Sequence, residues 1–314
     1  MMRIGNSIAE AKKHLDLNGI VAIPTETVYG LAACALSDEA IIKVFKAKNR
    51  PQFDPLIVHV ANGTEAKKYA EIPTKLQPLA NELWPGPLTL LLIKKPMISD
   101  LVTAGSDFVA LRVPKHALTQ TLLSQLNYPL VAPSANPFGY VSPTTAQHVA
   151  KNLTSVDYIL DGGACEHGIE STIIGLEQNQ IFVYRLGSTS LEEIERICNE
   201  PVQLKIQNNS NPKAPGMLDK HYSPKCRLSI YKPEKDAADR TGKALIWYGE
   251  DAPIGYEKVY FLSKEKSLDE AAKNLFAILR DLDENQWSKA EINLVPNQGI
   301  GRAINDRIKR ACVI

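Results

Sequence analysis

Cysteine is scarce and poorly placed for either of its structural uses. The five cysteines, Cys34, Cys165, Cys198, Cys226 and Cys312, are odd in number, widely spaced and form no CxxC pair. That argues against a zinc site and against a disulfide framework. No run of 18 apolar residues occurs, and the first thirty residues lack the ordered basic segment, apolar core and small-residue cleavage site of an export signal. A cytoplasmic protein with no membrane partner is the expectation. An excess of one charge sign is missing too, since the net charge is +1. Residues 1–205 hold 18 Lys and Arg against 20 Asp and Glu, and 206–314 hold 18 against 15. Neither half is basic enough to grip a phosphate backbone as its main task, which leaves room only for weak RNA contact. The common nucleotide and hydrolase signatures are also absent: there is no GxxxxGK motif, no GxSxG and no HExxH, and the GxG at Gly299-Ile300-Gly301 lacks its third glycine.

What is present describes a globular chain. Hydrophobic residues make up 44% and charged residues 23% of 314, enough for one large domain or two ordinary ones. Ser7 with Glu10 predicts a capped first helix ended at Gly19, and Ile20–Ile23 predicts a buried strand. Asp38 reads as the N-cap of a helix over 39–48, followed by a strand at 56–60. Short apolar runs at 88–93, 108–113, 129–132, 156–160, 172–176 and 181–185 predict core strands, with helical patterns at 64–70, 75–83, 115–126, 144–151 and 190–199 between them. Without a strict βαβ rhythm, this predicts an open, twisted, mixed α/β sheet of six or more strands. From about 203 the texture turns to Asn, Pro and Ser without periodicity, the composition of a linker. Beyond it, strands at 243–248, 258–262 and 291–295 and helices starting at Ser267 and 301 predict a second, smaller, Rossmann-like α/β domain.

Four polar clusters sit in turns beside expected strands, where α/β sheets place ligand sites. In Pro24-Thr25-Glu26-Thr27-Val28-Tyr29-Gly30 the hydroxyls suit a small polar substrate, or equally an ordinary hydroxyl-capped turn. Lys48-Asn49-Arg50 puts two cations just past a helix, which suits phosphate but also describes a solvated pair favoured by the helix dipole. Pro133-Ser134-Ala135-Asn136 offers a hydroxyl and an amide on a stiff turn. Glu170-Ser171-Thr172 is joined by Arg112 and Arg185, cations inside apolar strands that need a partner or an anionic ligand. His59 within Ile57–Val60 poses the same question, with a hydrogen-bonded core histidine as the alternative. Cations, hydroxyls and amides with few carboxylates suit an anionic phosphate and a small zwitterion better than paired-carboxylate hydrolysis.

The order and wording of these clusters resemble the Sua5/YrdC family of threonylcarbamoyl-adenylate synthases. PTETVYGL at 24–31, KNRP at 48–51 with PLIVHV at 55–60, LRVP at 111–114, PSAN at 133–136 and ESTI at 170–173 look like that family's catalytic domain. PGMLDKHYSP at 215–224 and NQGIGRAINDRIKRA at 297–311 resemble its longer, two-domain form. The resemblance implies a YrdC-like domain over 1–202, a linker or lid over 203–226 and a Sua5-type C-terminal domain over 227–314. It also implies a nucleotidyltransferase that joins L-threonine and bicarbonate as a carbamate and adenylates it with ATP and Mg2+. The product would pass to a tRNA threonylcarbamoyl-transferase complex acting on adenosine 37 of tRNAs that read ANN codons. Carried over, the catalytic set is Lys48, Arg50, Ser134 and Asn136. Thr27, His59, Arg112, Ser134 and Ser171 would line the threonine pocket, and Lys48, Arg50, Asp54, Asn136, Thr144, Arg185 and Tyr222 the ATP site, with no metal-ligand set. Asp54 departs from the asparagine frequent in the family, with holding magnesium or capping a turn as the two expectations. The rivals are a non-catalytic double-stranded RNA-binding module of the same fold and a carbamoyl-adenylate enzyme of the hydrogenase-maturation type.

Overall fold

Apolar runs too short for helices and bounded by Pro, Gly or Asp become strands here, and the helices between them cover the sheet. The protein is described by a computed structural model covering residues 3–205, 222–233 and 237–312. In chain order the first region contains β1 (Arg3–Gly5), α1 (Ile8–Asp16), β2 (Val21–Ile23), β3 (Gly30–Cys34), α2 (Asp38–Lys48), β4 (Ile57–His59), α3 (Gly63–Tyr69), α4 (Gln77–Leu83), β5 (Leu88–Ile93) and α5 (Asp100–Thr103). It continues with β6 (Phe108–Arg112), α6 (Ala117–Ser124), β7 (Leu130–Val131), α7 (Ala146–Asn152), β8 (Tyr158–Leu160), β9 (Thr172–Glu177), β10 (Gln180–Arg185), α8 (Leu191–Cys198) and β11 (Gln203–Leu204). The second region contains β12 (Arg227–Ile230), β13 (Ala244–Tyr248), β14 (Lys258–Ser263), α9 (Leu268–Glu284), β15 (Lys289–Ile292) and α10 (Gly301–Ala311).

The eleven strands of the first region form one mixed sheet, ordered β1-β8-β2-β3-β7-β4-β6-β5-β9-β10-β11. The four of the second form a sheet in which every pairing is parallel, β12-β15-β13-β14. The expected mixed sheet and smaller α/β unit are both found. Leu88–Leu92 in β5 is buried at every position, as a strand covered on both faces must be. Two apolar layers enclose the large sheet, one around Tyr29, Leu31, Val58 and Leu90, the other around Leu15, Val21, Leu122 and Tyr158. A further core, centred on Leu275, Phe276 and Ile304, takes in Val28, Val141 and Ile169 of the first region, so the two regions share apolar contact.

Several local expectations are corrected. Ser37, not Asp38, caps α2 by accepting from the Ala40 amide at 3.3 Å, and Asp38 opens the helix, where its charge suits the dipole. The strand expected at 291–295 is β15, and it ends at Ile292 because the Asn293 side chain turns to bond both the N–H and the C=O of Tyr248. β3 and the edge strands β1 and β12 were not expected. Gly-Leu-Ala-Ala-Cys has weak strand preference, and β3 forms because it pairs with β2 and β7 on either side. Gln203–Leu204 pairs with β10, and residues 206–221 of the expected linker lie outside the described residues.

Candidate active site

Three of the sequence clusters are tied to one another by backbone. Leu31 N–H donates to Pro133 C=O at 2.6 Å and Ala135 N–H to Tyr29 C=O at 2.8 Å, so the 24–30 turn and the 133–136 turn lie side by side. α2 ends at Asn49, whose φ of 52° lies in the left-handed region that asparagine tolerates. That reversal turns the helix exit inward. Lys48 Nζ donates to the carbonyls of Ser134 and, at 2.6 Å, Asn136, while Phe138 N–H returns a bond of 2.7 Å to Lys48 C=O. Lys48 is 1% exposed, which overturns the solvated charge pair as its explanation. Burial, with Arg50 nearby, pushes its pKa well below the ordinary lysine range. The fourth cluster is held by Gly187, where a Cβ would meet the backbone of Glu170, Ser171 and Thr172 at 2.4 Å, so only glycine lets the chain after β10 cross there.

These elements surround a cavity of about 50 Å³, lined by Val28, Arg50, Ile57, His59, Arg112, Ala132, Pro133, Ser134, Glu170, Ser171, Arg185 and Tyr222. Its cations are held on protein acceptors. Arg50 donates to the carbonyls of Asp54 at 3.1 Å and Pro55 at 2.7 Å, and sits 2.9 Å from the Asp54 carboxylate. Arg112 lies 2.8 Å from the Glu26 carboxylate, and Arg185 donates to both the carbonyl and the hydroxyl of Ser171 at 2.8 and 3.0 Å. The Asp54 and Glu26 contacts are ion pairs without hydrogen-bond alignment: neither carboxylate has a hydrogen-bond partner among the described residues. His59 is kept neutral, its pKa pushed down to about 3 by burial and then by the Arg112 charge. Burial lowers Arg185 to about 10.

Of the residues expected from sequence, Arg50, His59, Arg112, Ser134, Ser171, Arg185 and Tyr222 line this one cavity. Thr27, Lys48, Asp54, Asn136 and Thr144 are buried but do not line it. Thr27 belongs to a turn in which Thr25 Oγ1 accepts from the amides of Thr27 and Val28, both at 3.2 Å. Asn136 gives its amide hydrogens to the carbonyls of Pro137 and Tyr140, each at 2.8 Å, and its Oδ1 finds no partner among the described residues. Asp54, whose two expectations were holding magnesium and capping a turn, lies against Arg50. No group of three or more His, Cys, Asp or Glu among the described residues could hold a metal.

Sequence reading gave no role to three charged residues here. Glu26 pairs with Arg112, and its signal was a lone carboxylate in a turn of hydroxyls. Glu170 lines the cavity, accepting from Ser142 Oγ at 2.6 Å and from Arg307 Nε at 3.0 Å. Burial would raise its pKa, but Arg307 and Arg185 outweigh burial and hold it down at about 2. Arg307 itself stands in line with Ala303 and Ala311 on the buried side of α10, and a cation in an apolar stripe was the available signal.

The family model described as telomere recombination, Sua5/YciO/YrdC, matches residues 13–187, and that of the threonylcarbamoyl-AMP synthase C-terminal domain matches 189–312. A threonylcarbamoyl-AMP synthase of Pyrococcus abyssi is 36% identical over 93% of this chain and 90% of its own length. One of Bacillus subtilis is 36% identical over 97% and 92%. The crystal structure of P. abyssi Sua5 complexed with L-threonine superposes with a TM-score of 0.90 at 32% identity, covering 99% of this chain and 97% of that one. With both models matched in order over nearly the whole length, the chain belongs to the Sua5/YciO/YrdC family, in the form that carries the Sua5 C-terminal domain.

Proposed function

We propose that this protein is an L-threonylcarbamoyladenylate synthase. It converts L-threonine, bicarbonate and ATP into threonylcarbamoyl-AMP and pyrophosphate in the cytoplasm, and the adenylate passes to a tRNA threonylcarbamoyl-transferase complex that modifies adenosine 37 of tRNAs reading ANN codons. The observation that carries the reading is the convergence of Arg50, Arg112 and Arg185 with Ser134 and Ser171 on one cavity, with Lys48 buried against its turn. The names of the relatives and the L-threonine complex of P. abyssi Sua5 support it.

In this mechanism the threonine amine and bicarbonate give a carbamate and water. A carbamate oxygen then attacks the α-phosphorus as the bond to the pyrophosphate oxygen breaks. No side-chain nucleophile is needed. Thr27, His59, Arg112, Ser134 and Ser171 form the threonine side, where neutral His59 offers a hydrogen bond without adding charge. Lys48, Arg50, Asp54, Asn136, Thr144, Arg185 and Tyr222 form the ATP side, and Lys48, Arg50, Ser134 and Asn136 act on the reacting centre. Fixed cations in a water-poor cleft stabilise the charge that develops on departing pyrophosphate. Magnesium comes with the ATP phosphates as part of the substrate, consistent with Asp54 being held by Arg50. A cavity of about 50 Å³ holds only a few water-sized groups, so the cleft widens to admit ATP. Burial of these cations also favours catalysis over RNA binding, which uses exposed charge.

The test is pyrophosphate release with ATP and magnesium, adding L-threonine and bicarbonate separately and together, with serine as control. Release that requires both additions supports the synthase. No release from a folded protein that binds ATP overturns it.

A further inference from the structure

Arg307 belongs to α10, in the second region, yet its guanidinium is 0% exposed in the first region's wall. Its donors spread three ways: Nε to Glu170 Oε2 at 3.0 Å, Nη2 to Leu186 C=O at 2.7 Å and Nη1 to Asp306 at 2.6 Å. Its plane also lies 5.0 Å from the ring centroid of Tyr222, within cation–π range, and Tyr222 stacks on Phe276 of α9 at 5.3 Å. Glu170 and Tyr222 both line the cavity, Leu186 follows the cavity residue Arg185, and Ser171, next to Glu170, carries the bonds from Arg185. One side chain of the second region therefore touches two walls of the cleft and a segment leading from a third. A planar, five-donor fork can do this, and a point charge on a flexible stem cannot.

We propose that Arg307 is a positioning residue for the reaction: from the second region it sets the place of Glu170 and Tyr222, so the cleft is complete only with α10 docked. The inference rests on the synthase reading above. It assigns the second region a part in turnover beyond covering apolar surface. Arg307 touches no reacting atom, and its effect runs through the groups it holds.

The experiment uses the full chain and the variants R307M and R307K, measuring kcat and KM for ATP and L-threonine by pyrophosphate release, L-threonine binding by calorimetry, and thermal melting for the folded fraction. Misplacing two walls by about an ångström should lower kcat/KM of R307M by about 10- to 100-fold per folded molecule. R307K keeps the charge on Glu170 but not the fork, and should recover part of that loss. A second readout separates positioning from stability. Glu170 is faced by Arg307 from α10, Arg185 from β10, the Ser142 hydroxyl and Tyr222. With Arg307 gone, burial pushes the Glu170 carboxyl upward, so R307M gains an acid limb: activity falls as pH is lowered and returns as it is raised.

If R307M does not fold, R307K carries the test through the KM-against-kcat split. An active parent whose folded variants keep kcat and both KM values within about twofold, with an unchanged pH profile, overturns the inference alone. A parent that releases no pyrophosphate with all substrates present overturns the synthase reading and this inference with it.

Discussion

In the first region, Arg50 and Arg112 each meet one buried carboxylate while lining the cavity. In the second, Arg280 spends its guanidinium on the carbonyls of Val141, Ser142 and His148 and on Asn152, all across the boundary between regions. Both sets are buried and both cost desolvation, so burial alone does not separate function from architecture. The difference is the direction of the donors. Arginines whose acceptors are carbonyls of the neighbouring region act as fasteners, whereas Arg50, Arg112 and Arg185 find their acceptors and carboxylates within their own region, beside the cavity. Arg307 stands between the classes, a fastener whose acceptor is itself a cavity wall.

Breaking each class separately tests the distinction. The largest effect is expected for Arg50→Ala combined with Asp54→Asn, the second change removing the carboxylate that would otherwise be left buried without its cation. Pyrophosphate release should fall by about 100-fold or more with the fold retained, as circular dichroism would verify. Turnover near that of the parent would remove Arg50 from the site. Arg280→Met should do the reverse. Several carbonyls lose their donor, so the urea midpoint should report a loss of about 2–4 kcal/mol, with turnover per folded molecule nearly unchanged.

Gly168→Ala probes the docking without touching a charge. Gly168 has φ +76°, and a Cβ there would meet Lys273 Cα at 2.5 Å and Ala272 O at 2.6 Å on α9. Strain and clash together should cost about 1–3 kcal/mol, read as a lower melting temperature. The pH dependence of stability sharpens the comparison further, because one histidine kept neutral lies in the cleft and another lies beside Arg280. Burial lowers His59 in the cleft to about 3 and half-buried His148, near Arg280, to about 4. The unfolded chain takes up both protons near 6.5. Between that pH and the folded values the unfolded state binds more protons, so stability falls as pH drops through the window. His59→Asn should flatten the fall, and an unchanged slope in denaturation series would count against it. The smallest effect is expected for Arg302→Ala, which removes an exposed ion pair of 2.6 Å to Glu192 and should change stability by less than about 1 kcal/mol.

Much of the site was legible because turns beside strands carry their chemistry in consecutive residues. KNR, PSAN and EST each put two usable groups within three positions, and the motif order identified the family. Arg112 and Arg185 were visible as charges in apolar strands. Asp54 was harder to place, since its partner Arg50 is four residues away around a turn whose path no periodicity describes. Lys48 was ambiguous for a related reason: a lysine at a helix exit is ordinarily solvated, and only the Asn49 reversal together with the 133–136 turn buries it. Glu170 and Arg307, 137 positions apart, could be matched by no local pattern.

By itself the sequence determined most of the strands and helices, two α/β regions, and the groups available for chemistry. These follow from apolar spacing, capping residues and composition, which act over one or two turns of chain. Tertiary structure alone decided which cations face a cavity and which fasten two regions, that β3 forms at all, and that α10 reaches the cleft. Each of those outcomes depends on which distant acceptor fills a buried donor. That choice is made when the sheets pack, because an unpartnered buried charge costs more than any local preference can supply.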